Sequence, residues 1–203
     1  MSLSIPLHAS TREQATTDER SQSDVQPSSR SLQAGASEWI VAAGLGWGVP
    51  VFRSSGQERL LLPSLSWGRV LTSAQGPGHV RGRFTWAVAV TPLFVQFEPE
   101  NAYGIGVSPL VWRWNFDTSG RVAPYAELGG GGLWTTTDVP RETARANYVL
   151  HVAVAARVRG PGGPATIVGY RFEHISNGNR APRNPSVNAH VLLLGWSFVK
   201  PPR

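Results

Sequence analysis

The sequence predicts an all-β fold, an eight-stranded antiparallel up-and-down transmembrane β-barrel behind a disordered N-terminal tail. Three observations carry this reading. Large apolar residues between 38 and 199 alternate with period two, in segments of about ten residues or more parted by Gly, Pro, Asn and Asp. No apolar run is long enough to cross a bilayer as a helix. The chain holds eight Trp but a single Lys, Lys200. Indole suits the membrane–water interface, whereas a solvated β surface normally shows several lysines.

Residues 1–35 come first and read as the tail. They are rich in Ser, Gln, Thr, Asp, Glu and Arg, and cannot bury enough apolar surface to fold. They also lack the apolar central run that a secretion signal needs; a misassigned start and a truncated chain both fit that, and the sequence fixes neither the export signal nor the true N-terminus. Residues 36–203 form the barrel domain, with strands predicted at 38–48, 59–71, 79–95, 102–116, 121–135, 144–158, 164–176 and 188–199.

Parity decides which face is which. In the third strand Phe84, Trp86, Val88 and Val90 alternate with Arg83, Thr85, Ala87 and Ala89. In the sixth, Tyr148, Leu150, Val152 and Val154 alternate with Asn147, His151, Ala153 and Ala155. In the fourth, Leu110, Trp112 and Trp114 alternate with Val111, Arg113 and Asn115. A soluble barrel would turn the large face inward and show Lys, Glu and Thr to water. Here the second face is Ala, Gly and Ser with isolated charges: Glu38, Arg81, Arg83, Arg113, Glu127, His151, Arg157, Arg171 and Glu173. That face fits a narrow lumen in which charges neutralise one another, with the large residues turned to lipid. A soluble lipid-binding barrel is the alternative architecture.

Composition narrows function. At 203 residues there is room for one domain. The net charge of +6 is spread along the chain without a Lys/Arg run of five, so nucleic acid is not the expected partner and anionic lipid head groups are. With no Cys, disulfides, thiol catalysis and thiolate metal sites are excluded. No ligand cluster calls for a metal, and no motif calls for a cofactor. Nothing in the sequence fixes an oligomeric state.

The chemistry concentrates at the end of the seventh strand. Its even face is Val168, Tyr170, Phe172, His174, Ser176, and its odd face is Ile167, Gly169, Arg171, Glu173, Ile175. His174 and Ser176 therefore continue the lipid-facing stripe. Two residues apart on a strand, their Cβ atoms lie about 6–7 Å from each other, so a base–nucleophile hydrogen bond is within reach. The hairpin with the eighth strand brings Asn188 and His190 to the same outer rim. The loop between them, 177–187, adds the amides of Asn177, Asn179 and Asn184 and the guanidinium groups of Arg180 and Arg183, which suit phosphate. Polar residues at a strand end also occur simply where a barrel leaves the bilayer, so these residues alone leave both readings open.

The run Tyr170-Arg-Phe-Glu-His-Ile-Ser-Asn177, followed by Asn184-Pro185 and Leu194-Gly-Trp-Ser-Phe198, resembles the C-terminal signature of the lipid A 3-O-deacylase (PagL-type) family, which takes in acyloxyacyl hydrolase-like proteins. The resemblance implies a bacterial outer-membrane esterase that removes an ester-linked acyl chain from lipid A. It implies His174 as general base and Ser176 as nucleophile, with Asn177 and Asn184 shaping the site or holding the oxyanion. The family has a Glu early in the last strand, where Asn188 stands here. An amide can accept a hydrogen bond from imidazole but supplies no negative charge. The alternative function, a non-catalytic structural or adhesive outer-membrane barrel, rests on that one residue. With both termini periplasmic, the seventh strand would end at the cell surface, beside the sugars and esters of the outer leaflet.

Overall fold

The computed structural model describes residues 32–202. The predicted tail falls mostly outside them. Its last residues are folded, however: Leu32 is buried with Ala36, Val70 and Val199, and Gly35 donates its N–H to the Val70 carbonyl (2.9 Å). The packed domain thus begins about four residues before the predicted boundary at 36.

Eight strands close into one antiparallel barrel in chain order: β1 (Ser37–Gly48), β2 (Arg59–Val70), β3 (Gly82–Glu98), β4 (Ala102–Phe116), β5 (Val122–Thr135), β6 (Ala146–Val158), β7 (Ala165–Ser176) and β8 (Ser186–Lys200). β1 pairs with both β2 and β8, so no sheet edge is left open. Most bounds fall within a residue of their predicted places; β3 runs on to Glu98, β6 starts at Ala146, and two starts have a visible reason. β3 starts at Gly82 because Gly78–Val80 coils into a 3-10 turn. β8 starts at Ser186 because Ser186 and Val187 already pair with Ser176 and Ile175.

The apolar face is the outer one. Leu45, Val154 and Leu194 keep 62%, 60% and 60% of their surface exposed, values that only lipid makes favourable for a belt of this kind. Aromatic residues ring both ends of the belt. Trp39, Trp67, Trp86, Trp112, Trp114 and Trp196 lie toward the end that carries the chain termini, while Trp47, Tyr103, Trp134 and Tyr148 lie toward the opposite, loop end. Such girdles mark the two interfaces of a transmembrane barrel. The soluble alternative is set aside on these grounds.

The lumen is filled, in two layers of different chemistry. Toward the terminal end, Arg157 grips Glu38 with two hydrogen bonds (Nε–Oε1 2.5 Å, Nη2–Oε2 2.7 Å) and lies over the Tyr125 ring at 4.3 Å. Arg113 donates to Glu127 and to Ser66 Oγ (2.7 Å), and His151 Nε2 and Arg171 Nη2 meet Glu127 Oε1 at 3.1 and 3.2 Å. Gly129 makes room for the imidazole: a Cβ there would stand 2.3 Å from the His151 ring. Toward the loop end the filling is apolar, with Leu60, Leu62, Phe94, Leu133, Ile175, Val187, Val191 and Leu193 in one buried cluster.

That apolar layer departs from the expected interior of small residues and paired charges: inward-facing Leu, Ile and Val of β2, β5, β7 and β8 build it, and on β3 a change of parity adds Phe94. β3 carries an extra residue at Pro92–Leu93 and β4 one at Ser108–Pro109, where the pairing registers shift. Proline has no N–H for the ladder and settles at such bulges. Each bulge switches parity, so Thr85 and Ala87 point inward at one end of β3 and Phe94 at the other. Arg81 and Arg83 also differ from expectation. They sit at the terminal rim and pair with Asp117 in the β4–β5 turn (3.5 and 2.6 Å), because β3 begins only at Gly82, which leaves Arg81 before the strand and Arg83 at its second residue. The hydrogen bond from Arg83, with help from Arg81, holds the Asp117 carboxyl below its usual range.

Candidate active site

At the loop end of the outer wall, β7 and β8 bring three predicted residues into one hydrogen-bonded chain. His174 Nε2 lies 3.1 Å from Ser176 Oγ, and His174 Nδ1 lies 2.7 Å from Asn188 Oδ1. The register explains the meeting, since His174 is directly opposite Asn188. Ser176 is opposite Tyr148 on its other side, and His174 opposite Leu150. The pair is half-buried among apolar side chains that are themselves exposed to lipid.

Asn188 follows the outward parity yet is fully buried, because the β1–β2 loop folds over it. Its Nδ2 donates to the Val51 carbonyl and to Ser186 Oγ, both at 2.8 Å. These two acceptors orient the amide, so its Oδ1 faces the imidazole. An acceptor at Nδ1 fixes the proton there and leaves the Nε2 lone pair toward the Ser176 hydroxyl. The arrangement can therefore take a proton from serine.

The other predicted residues are placed differently. Asn177 is fully buried on the lumenal parity; its Nδ2 donates to the Arg183 carbonyl (2.8 Å) and its own carbonyl accepts from Arg180 Nε (3.0 Å). Its side chain is thus bonded inside the β7–β8 loop. Asn184 Nδ2 donates to Asn179 Oδ1 (2.9 Å), another bond within the loop. Asn179 and Gly178 adopt φ of +62° and +63°, and a Cβ on Gly178 would strike the Tyr148 ring at 2.7 Å. This tight turn is what seats the loop beside Ser176.

Arg180 stacks over Tyr148 (4.5 Å to the ring centre) and donates from Nη2 to the Ala146 carbonyl (2.8 Å), which puts its charge beside Ser176's neighbour. Arg183 points away and pairs with Glu142 across the surface (2.6 Å). His190 shares the outer face, but it hydrogen-bonds with Tyr170 (2.5 Å) and packs against Trp47 and Phe172; it does not join the triad. Glu173 is lumenal, 3.7 Å from Arg171. No group of three or more His, Cys, Asp or Glu that could hold a metal is present among the described residues.

Three contributors escaped the sequence reading. Val51 acts through a backbone carbonyl, which has no sequence signature. Ser186 lay inside what read as loop. Tyr148 was legible in principle, since the β6–β7 hairpin register puts it opposite Ser176.

The fold and the site together define a class: a small transmembrane barrel of the outer-membrane type, bearing a Ser-His pair on its lipid-facing wall. Within that class the sequence is specific. The pattern of the lipid A 3-O-deacylase (PagL) family matches residues 41–197, and the chain belongs to that family. Among solved structures it is similar in fold to the outer membrane enzyme PagL, with a TM-score of 0.57 at 14% identity over 77% of this chain and 97% of that one. It is similar to nearly the same degree to Neisserial surface protein A (NspA), with a TM-score of 0.55 at 17% identity over 81% and 98%. A comparison with curated proteins finds no match.

Proposed function

We propose that this chain is an outer-membrane serine esterase that removes an ester-linked acyl chain from lipid A. The observation that carries the reading is the chain Ser176–His174–Asn188, with its nucleophile on lipid-facing wall at the loop end of the barrel. The near-equal fold likeness to an enzyme and to a surface protein makes the fold neutral on this point, so the side chains decide. A substrate that is itself the surrounding lipid is met by an outward-facing site without leaving the membrane.

The chemistry follows from the proton inventory. His174 Nε2 accepts the Ser176 Oγ proton as the oxygen attacks the acyl carbonyl. The imidazolium keeps its Nδ1–H on Asn188 Oδ1. Main-chain N–H groups of the turn after Ser176 stabilise the tetrahedral oxyanion, since the amides of Asn177 and Asn184 are engaged within the loop. The imidazolium then returns its proton to the leaving sugar hydroxyl. Water, deprotonated by His174, releases the fatty acid and restores the serine. Arg180, steadied by Tyr148, offers a guanidinium to a phosphate of the glycolipid.

Purified barrel in detergent micelles, given lipid A, should release free fatty acid. Ser176→Ala should lower that rate by at least about a thousandfold, as expected when a nucleophile is removed. Release unchanged in Ser176→Ala ends the assignment.

A further inference from the structure

We infer that the third position of this site is built for an amide, with Ser186 and the β1–β2 loop as the positioning residues that hold it, so that Asn188 completes the triad where an acid would not. The inference rests on the esterase reading above and concerns what its third member does.

The two ends of the Asn188 side chain meet opposite surroundings. Oδ1 faces a donor, His174 Nδ1, at 2.7 Å. Nδ2 faces two acceptors, the Val51 carbonyl and Ser186 Oγ, each at 2.8 Å. Ser186 has no proton to spare in that direction, because its hydroxyl donates to the Phe52 carbonyl. Toward Asn188 it shows only a lone pair. A carbonyl never donates. A carboxylate at this place would therefore set one oxygen against two acceptors, in a position with no exposure to solvent. Buried polar groups without a partner are strongly unfavourable, and charged ones more so.

The loop is shaped to provide these acceptors. Phe52 and Arg53 have φ of +47° and +68°, a region that side-chain-bearing residues seldom enter. That backbone turns two successive carbonyls onto Ser186, Phe52 O onto its hydroxyl and Arg53 O onto its N–H (3.4 Å). The main chain of Asn188 is tied to the same loop, by its N–H to Ser54 Oγ (3.2 Å) and by its carbonyl to the Val49 N–H (2.8 Å). Loop and triad member form one unit, and the unit selects an amide.

The usual rule for Ser-His pairs runs the other way, since a carboxylate behind the imidazole stabilises the imidazolium. The isosteric change Asn188→Asp separates the two. Fatty-acid release from lipid A should fall by about tenfold or more in Asn188→Asp and by about threefold in Ser186→Ala. The double variant should recover above Asn188→Asp alone, because one opposing acceptor is gone, a non-additivity expected only of coupled neighbours. Heat-modifiable gel mobility shows that each variant is folded. Nitrogen-15 NMR of His174 in micelles should find the proton on Nδ1 in the unaltered protein and redistributed in Asn188→Ala. Asn188→Asp matching or exceeding the unaltered protein would overturn the inference, as would strictly multiplicative effects or a proton on Nε2. If the unaltered protein shows no Ser176-dependent release, the esterase reading fails, and the NMR result alone decides whether Asn188 is the oriented acceptor.

Discussion

β7 carries polar side chains on both faces, and the two sets are held in different ways. Inward, Arg171 and Glu173 join a network in which Glu38 and Glu127 are shared among Arg113, Arg157, Arg171 and His151. Charge is matched by charge there, and the groups are locked between opposite strands of the barrel. Outward, His174 and Ser176 form a hydrogen-bonded relay in which the Asn188 amide of β8 accepts from the imidazole, and the relay opens onto lipid. The lesson is that one strand separates scaffold from chemistry by parity alone. Removing an inner group should cost stability, and removing an outer one should cost reaction.

The largest effect expected on the inner side comes from Glu38→Ala. It leaves Arg157 buried without its bidentate partner and strips Arg113 of a neighbour at 3.6 Å. Loss of one partner from a buried ion pair typically destabilises by about 3–5 kcal/mol. Denaturant unfolding in detergent should show that loss, while fatty-acid release per folded molecule stays as before. A folded Glu38→Ala barrel with lowered release would mean that the two faces are coupled and would break the comparison.

The smallest effect sharpens it from the outer side. His190 lies on the same face as the triad but bonds with Tyr170. His190→Phe keeps a ring against Trp47 and Phe172 and removes only the polar contact, an exposed one, so both stability and release should change by less than about twofold, or under about 0.5 kcal/mol. A loss comparable to that of a triad residue would show that the chemistry extends further down the wall.

Much of this was legible in the sequence, for identifiable reasons. Alternation of Leu150, Val152 and Val154 with His151, Ala153 and Ala155 is a direct print of strand geometry, and the same period along β7 puts His174 and Ser176 on the outer face. Hairpin register brought Asn188 to His174. The inward turn of Phe94 was hidden because the period of two does not run straight through β3 and β4: Pro92 and Pro109 stand where it switches. Of the two roles expected of Asn177, shaping the site or holding the oxyanion, its bonds within the loop fit the first. It follows Ser176 directly, so it takes the opposite parity, and its amide turns inward to the Arg183 carbonyl. Contacts such as Val51 to Asn188 span residues far apart in sequence through a backbone atom, and no residue type announces them.

The central claim is that Ser176 is a nucleophile activated by His174 on the outer wall. A lipophilic fluorophosphonate reacts covalently with such a serine and hardly at all with an unactivated one. After incubation of the barrel in micelles, mass spectrometry of the digested protein should find the adduct on Ser176 alone. Labelling should fall by at least about a hundredfold in His174→Ala, the scale of losing a general base. An adduct on another residue, or labelling of Ser176 that does not depend on His174, would contradict the account.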